Sequence, residues 1–170
     1  QSMKFLNLIR HGNAEINYEK NDFDRELDSN GNSDLEYLDK FLYRYSFKKH
    51  KILCSASLRT IQTLNSLKFS LNEDSRVEIE DSLYLANMKT IWDLIYKNKK
   101  SYMISIIGHN PGLSDILSFF TGNFELPDLK TSTIAQIFFK DSDLSNEGAG
   151  ELKFMVQSKN NDIISLSSEV

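Results

Sequence analysis

At 170 residues, with 40% hydrophobic and 26% charged positions, the chain has the size and composition of one soluble globular domain and is too short for two ordinary ones. A formal charge of -4 excludes the broad basic face by which proteins hold nucleic acid, although a local cationic pocket stays open. Its single cysteine, Cys54, excludes an internal disulfide and any multi-cysteine zinc site, and no apolar run approaches the ~20 residues that cross a bilayer.

Gln1-Ser2 ahead of Met3 reads as a cleavage scar, so a single domain is expected over residues 3–170. No basic segment followed by an apolar stretch opens the chain, so no secretory signal is expected and a reducing cytoplasm is the default. His11, His50 and His109 lack metal-ligand spacing, so no metal is expected.

Phe5 to Ile9 is an apolar run that breaks at Arg10-His11-Gly12. It reads as a buried strand delivering a cation and an imidazole to the mouth of a sheet, with Gly12 letting the chain turn away. Residues 13–32 are polar and read as a functional loop over the sheet end. Ser33-Asp34-Leu35-Glu36 has the form of a capping box, and Leu35, Leu38, Phe41, Leu42 and Tyr45 continue at helical spacing, predicting an amphipathic helix to about Phe47. His50 follows Lys48-Lys49 and is expected to be solvated.

Lys51 to Cys54 is a short second strand with Cys54 as a buried hydrophobe, after which Ser57 is placed to cap a helix carrying Arg59 in its first turn. An arginine beside the unpaired amides of a helix start favours an anion. Val77 and Ile79 suggest a third strand, and Asn87 a cap for a helix through Trp92, Leu94 and Ile95. Tyr102 to Ile107 is apolar enough to be buried on both faces, which predicts a near-central strand. It runs into Gly108-His109-Asn110-Pro111-Gly112, with Pro111 suited to the first position of a helix ending at Thr121-Gly122. Thr133–Phe139 and Glu151–Gln157 predict an antiparallel pair, and the tail from Asn160 carries only a weak signal. Strands alternating with helices predict a three-layer α/β/α sandwich with a mainly parallel sheet, whose strand ends bring His11, Arg59 and His109 to one edge.

Two imidazoles and two guanidiniums at strand ends suit phosphoryl transfer. A neutral histidine attacks phosphorus through a ring nitrogen, while guanidiniums hold the equatorial oxygens. At these residues the sequence resembles the histidine phosphatase superfamily, through Arg10-His11-Gly12, Ser55-Ala56-Ser57-Leu58-Arg59-Thr60-Ile61-Gln62-Thr63 and Gly108-His109-Asn110-Pro111-Gly112-Leu113. The length, Asp22-Phe23-Asp24-Arg25-Glu26-Leu27 and Lys130-Thr131-Ser132-Thr133-Ile134-Ala135 resemble the small bacterial phosphohistidine phosphatase branch.

The resemblance implies a phosphoglycerate mutase-like fold, His11 as nucleophile, and Arg10, Arg59 and His109 completing a phosphate pocket without a cofactor. Larger relatives carry a carboxylic general acid after the third strand, where this chain reads Leu83-Tyr84-Leu85-Ala86-Asn87. An alkoxide leaves poorly without a proton whereas a phosphoramidate nitrogen is easily protonated, so phosphohistidine in a phosphorelay or phosphotransfer protein is the expected substrate. Two alternatives remain open: a phosphatase for a small phosphoester with Glu15, Asp22 or Asp24 as acid, and a non-catalytic phosphohistidine-binding module. Asn13 stands where the small branch often has an acidic residue. Asn13, Ser57, Arg25 and Asn110 are further candidates for substrate contact; capping suffices for Ser57 and Asn110, and Arg25 can instead pair with Asp22, Asp24 or Glu26. Thr131, Ser132 and Thr133 either line the pocket or begin a strand. Neither a nucleic-acid nor a membrane partner is expected.

Overall fold

The computed structural model describes residues 2–167 apart from 46, 48, 49 and 142. Gln1 of the expected scar, the Lys48-Lys49 pair and the last three residues of the expected domain lie outside the described residues. Strands β1 (Phe5–Arg10), β2 (Lys51–Ser55), β3 (Arg76–Glu80) and β4 (Met103–Gly108) run parallel. Beyond β1, strands β5 (Thr133–Phe139), β6 (Gly150–Lys159) and β7 (Asp162–Ser165) extend the sheet in antiparallel fashion, giving the order β3-β2-β4-β1-β5-β6-β7. The expected parallel core and antiparallel C-terminal pair are both present, with β1 at the middle and β4 beside it.

Period-two alternation divides the apolar residues of these central strands between two cores. Leu6 and Leu8 of β1 face a cluster with Ile91 and Ile95 of helix α3 (Met88–Lys97) and Leu113, Ile116, Leu117 and Phe120 of helix α4 (Gly112–Thr121). Ile9 faces the opposite cluster, with Leu35, Leu38 and Leu42 of helix α1 (Ser29–Tyr43) and Leu64 of helix α2 (Leu58–Ser66). Helices thus cover both faces, which is the three-layer arrangement read from the strand and helix alternation. Among the described residues no helix is long and apolar enough to cross a membrane.

Several local expectations are corrected. Helix α1 starts at Ser29, not after Ser33, because the Asp28 carboxylate accepts from the Gly31 amide at 2.7 Å and caps it a turn earlier; it ends at Tyr43, not near Phe47. The preceding loop is not featureless: it holds a 3-10 turn at Asp22–Asp24 and an Ala14–Leu27 bridge. Ser57 does stand just before α2, but its hydroxyl bonds Thr60 Oγ1 at 2.7 Å instead of capping an amide. Pro111 stands just before α4, whose first residue is Gly112. Asn87 caps α3 as expected, accepting from the Thr90 amide at 3.0 Å.

His50 is buried, not solvated, with Nε2 2.9 Å from Ser105 Oγ and Nδ1 3.0 Å from Ser75 Oγ. The strand β7 was hidden because its hairpin turn is Asn160-Asn161, at φ 52° and 58°, a two-residue turn of asparagines without the usual glycine. Gly12 serves space, not a turn: a Cβ there would lie 2.7 Å from Leu35 Cδ1 and 3.2 Å from Leu27 Cδ2.

Candidate active site

Register assembles the site. Parallel pairing sets Arg10 against Gly108, so the residues that follow, His11 and His109, leave the sheet side by side with ring centroids 5.3 Å apart. Pairing of Cys54 with Ile107 brings the next residue, Ser55, level with Gly108, and its Oγ lies 2.8 Å from His109 Nε2. The first turn of α2 adds Arg59, a residue 2% exposed beside His11.

His11 is 7% exposed, and its Nδ1 lies 2.7 Å from its neighbour's carbonyl oxygen, Gly12 O. A carbonyl only accepts, so Nδ1 carries the proton and Nε2 keeps its lone pair. Arg59 Nε donates toward that Nε2 across 3.4 Å. Burial lowers the His11 pKa to about 4, and Arg59, Arg10 and Arg25 press it the same way. At neutral pH the imidazole is therefore uncharged and nucleophilic at Nε2.

His109 is also uncharged, its pKa lowered to about 3 by burial and then by His11 and Arg59. Ser55 Oγ, beside His109 Nε2, also receives the Ser57 amide at 3.5 Å. The remaining ring nitrogen, Nδ1, is buried without a partner among the described residues. When Ser55 donates to Nε2, the ring presents an Nδ1–H donor to an anion between the two rings.

Asp22 gathers the cations. Its Oδ2 accepts from Arg59 Nη2 at 3.0 Å and from the Tyr84 hydroxyl at 2.5 Å, while its carbonyl accepts from Arg59 Nη1 at 2.7 Å. Oδ1 accepts from Arg25 Nε at 3.0 Å and Nη2 at 2.9 Å. The Tyr84 hydrogen bond, followed by those of Arg25 and Arg59, holds the Asp22 carboxyl far below the usual carboxylate range. Arg10 donates from Nη1 to Leu129 O at 3.1 Å, and its buried Nε has no partner among the described residues. Three guanidiniums against Asp22 and, beside Arg10, Asp128 leave the pocket net positive, matched to a multiply charged anion. Among the described residues no three His, Cys, Asp or Glu side chains converge to hold a metal ion.

Residues 6–91, half of the chain, match the family described as the histidine phosphatase superfamily (branch 1). The chain belongs to the histidine phosphatase superfamily. Similar solved structures include a proposed phosphohistidine phosphatase SixA from Agrobacterium tumefaciens, with a TM-score of 0.79 at 21% identity over 91% of this chain and 98% of that one. A protein histidine phosphatase SixA complexed with tungstate gives 0.76 at 23% identity, covering 91% and 96%. A phosphoserine phosphatase from Entamoeba histolytica gives 0.63 at 16% identity, covering 94% and 98%. A search of curated proteins gives no significant match.

Of the other residues singled out in sequence, this superfamily member brings Arg25 toward the site through Asp22 but not Asn13. The exposed Asn13 side chain donates to Asp28 Oδ2 at 2.5 Å and so braces the start of α1. Arg25 pairs as expected, with Asp22, and also donates from Nη1 to Glu15 O at 2.7 Å. Asn110 bridges Leu129 O at 2.6 Å and the Ser114 hydroxyl at 2.8 Å, and also accepts from the Ser114 amide, the expected cap. Ser132 donates its amide to His11 O at 3.1 Å while Thr133 opens β5, so this run begins a strand and pins the His11 backbone. Glu15 is tied to Lys20 at 2.7 Å, and Asp24 is an exposed end of the 3-10 turn.

Sequence reasoning missed Ser55, Leu129 and Tyr84. Ser55 lay inside a quoted block, and parallel register was the signal that pairs it with His109. Leu129 acts through its carbonyl, which no side-chain motif reveals. Tyr84 stands in a segment whose sequence signal is the absence of a carboxylate, and a lone tyrosine there carries no motif of its own.

Proposed function

We propose that this chain is a metal-independent phosphohydrolase that works through a phosphohistidine intermediate on His11 and acts on phosphohistidine in a protein. The observation that carries this reading is the His11 Nδ1–Gly12 carbonyl hydrogen bond at 2.7 Å, which fixes the neutral ring as the Nδ1–H tautomer with its lone pair on Nε2 beside Arg59, while burial and the arginines keep the ring uncharged. In the first step the Nε2 lone pair forms a bond to phosphorus. The bond from phosphorus to the leaving nitrogen breaks and its electron pair stays on that nitrogen, so an imidazole already protonated on its other ring nitrogen departs neutral. In the second step water attacks phospho-His11, gives up a proton to solvent, and releases phosphate with Nε2 regenerated. Arg10, Arg59 and His109 Nδ1–H meet the charge on the equatorial oxygens with fixed donors.

The preference for phosphohistidine rests on the acid–base balance. Asp22, the carboxylate among the guanidiniums, is held ionised by three donors and has no proton to give. An alkoxide leaving group therefore lacks a donor, whereas an imidazole leaving group needs none stronger than solvent. Steady-state rates on a phosphohistidine peptide and on a panel of phosphate monoesters test this. The peptide is expected to be turned over faster; uniformly faster esters would refute the reading and favour the small-phosphoester alternative.

A further inference from the structure

Tyr84 stands on a short, anchored turn. The segment Asp81–Leu83 is a 3-10 turn closed by the Tyr84 amide donating to Asp81 O at 3.2 Å, and Leu83 and Ala86 on either side are buried in the core beneath α3 and α4. Between them Leu85 adopts φ 50°, a conformation unusual for a leucine that the flanking anchors hold in place. The Ala86 carbonyl packs so closely on Gly112 that a Cβ there would lie 2.1 Å from the oxygen. This ties the turn to the start of α4, three residues from His109. The phenol ring is thereby aimed into the site, edge-on to His109 at 5.5 Å and to Phe23 at 5.0 Å between centroids.

Its hydroxyl ends on Asp22 Oδ2, and Asp22 grips Arg59 at two points, carboxylate to Nη2 and carbonyl to Nη1. With both Nη atoms held, the guanidinium plane is fixed with Nε toward His11 Nε2. We propose that Tyr84 is a positioning residue for phosphoryl transfer, fixing Asp22 through its hydroxyl and thereby the Arg59 guanidinium, while its ring walls the pocket beside His109. This rests on the reading of the pocket as a phosphoryl-transfer site. The groups facing Asp22 are Arg25, Arg59, Tyr84 and, further off, His109; of these only Tyr84 is an uncharged donor to its carboxylate, so Tyr84→Phe loosens the clamp without changing the pocket's charge.

The test compares wild type, Tyr84→Phe, Asp22→Asn and the double variant. Readouts are turnover of the best phosphoryl donor, vanadate binding as a transition-state mimic, and sulfate binding as a ground-state one, all well below each variant's melting transition. Loss of one hydrogen bond to a charged group is expected to lower kcat about tenfold in Tyr84→Phe. KM and sulfate affinity should stay nearly constant, because positioning is expressed mainly in the transition state. Vanadate affinity should fall by the same factor as kcat. In the Asp22→Asn background Tyr84→Phe should add little, since both act through one clamp. Unchanged kcat and vanadate affinity in Tyr84→Phe, or losses that add in the double variant, would overturn the assignment. A wild type that turns over no phosphoryl donor would instead defeat the phosphoryl-transfer reading, while vanadate binding still reports on the clamp.

Discussion

His50 should make the folded state acid-sensitive in a way one substitution isolates. The imidazole is 5% exposed and belongs to a buried polar chain across the sheet: Ser75, His50, Ser105, Asn7 and Gln136. Ser75 Oγ spends its proton on Leu71 O at 2.6 Å, so it accepts from His50 Nδ1, and Nε2 accepts from Ser105. Protonation of Nε2 places a charge in the core and strips the Ser105 hydroxyl of its acceptor. Burial accordingly lowers the pKa from 6.5 to about 4. Because the folded value lies below the unfolded one, the contribution is complete above pH 6.5 and is lost as pH falls toward 4. At about 1.4 kcal/mol per pH unit of difference, the loss approaches about 3 kcal/mol, of which about 2.5 kcal/mol should be gone by pH 4.5. That is a large share of a typical stability of about 5–15 kcal/mol. Urea denaturation from pH 7.5 to 4.5, on wild type and His50→Gln, gives the difference in unfolding free energy at each pH, with the carboxylates cancelling. A wild-type advantage that stays constant to within about 1 kcal/mol across this range would refute the reasoning.

The two site histidines should separate kinetically. His11→Ala is expected to abolish turnover and the acid-labile phosphoenzyme on rapid quenching, while His109→Ala slows its formation only; a phosphoenzyme surviving in His11→Ala would reverse the roles. Arg59→Lys loses the fork held by Asp22 and the donor to His11, and kcat/KM should fall by about a hundredfold or more in steady-state assays. Activity should be indifferent to EDTA and inhibited by vanadate, and an EDTA-sensitive rate restored by magnesium would contradict the mechanism.

Much of the layout was legible because periodicity and motif position coincide. Leu6, Leu8 and Ile9 alternate, and the Arg-His-Gly and Gly-His-Asn-Pro-Gly blocks each fall at the end of an apolar run, so a parallel sheet had to bring His11 and His109 to one edge. What escaped depended on contacts between segments distant in sequence. His50 reads as solvated beside two lysines, yet Ser75 and Ser105 supply partners that make its burial affordable. Two capping sequences compete for the start of α1, and Asp28 prevails because Gly31 fits under the Asn13 carbonyl, where a Cβ would lie 2.2 Å from the oxygen. Tyr84 acquires its place only when the 3-10 turn docks on α4. Local chemistry thus located the catalytic candidates, whereas tertiary packing located the residues that hold them.

A pocket that keeps both histidines uncharged should draw a proton when an anion enters. Burial and the arginines hold His11 near 4 and His109 near 3, so both are neutral in the empty site above pH 6. A dianion seated among Arg10, Arg59 and His109 Nδ1 adds negative charge beside the imidazoles and raises their proton affinity. His109 is the group that gains, since its Nδ1 faces the anion's oxygens while His11 Nε2 is opposite the central atom. Sulfate is the suitable probe because it stays dianionic through this range, so any proton taken up belongs to the protein. Calorimetric titration in two buffers of different ionisation enthalpy should show negligible uptake at pH 8 and a growing fraction of a proton toward pH 5, lost in His109→Asn. Uptake that is absent at every pH from 8 to 5, or unchanged in His109→Asn, would mean that the anion does not sit against His109. The donor set proposed for the phosphoryl oxygens would then have to be redrawn around the guanidiniums alone.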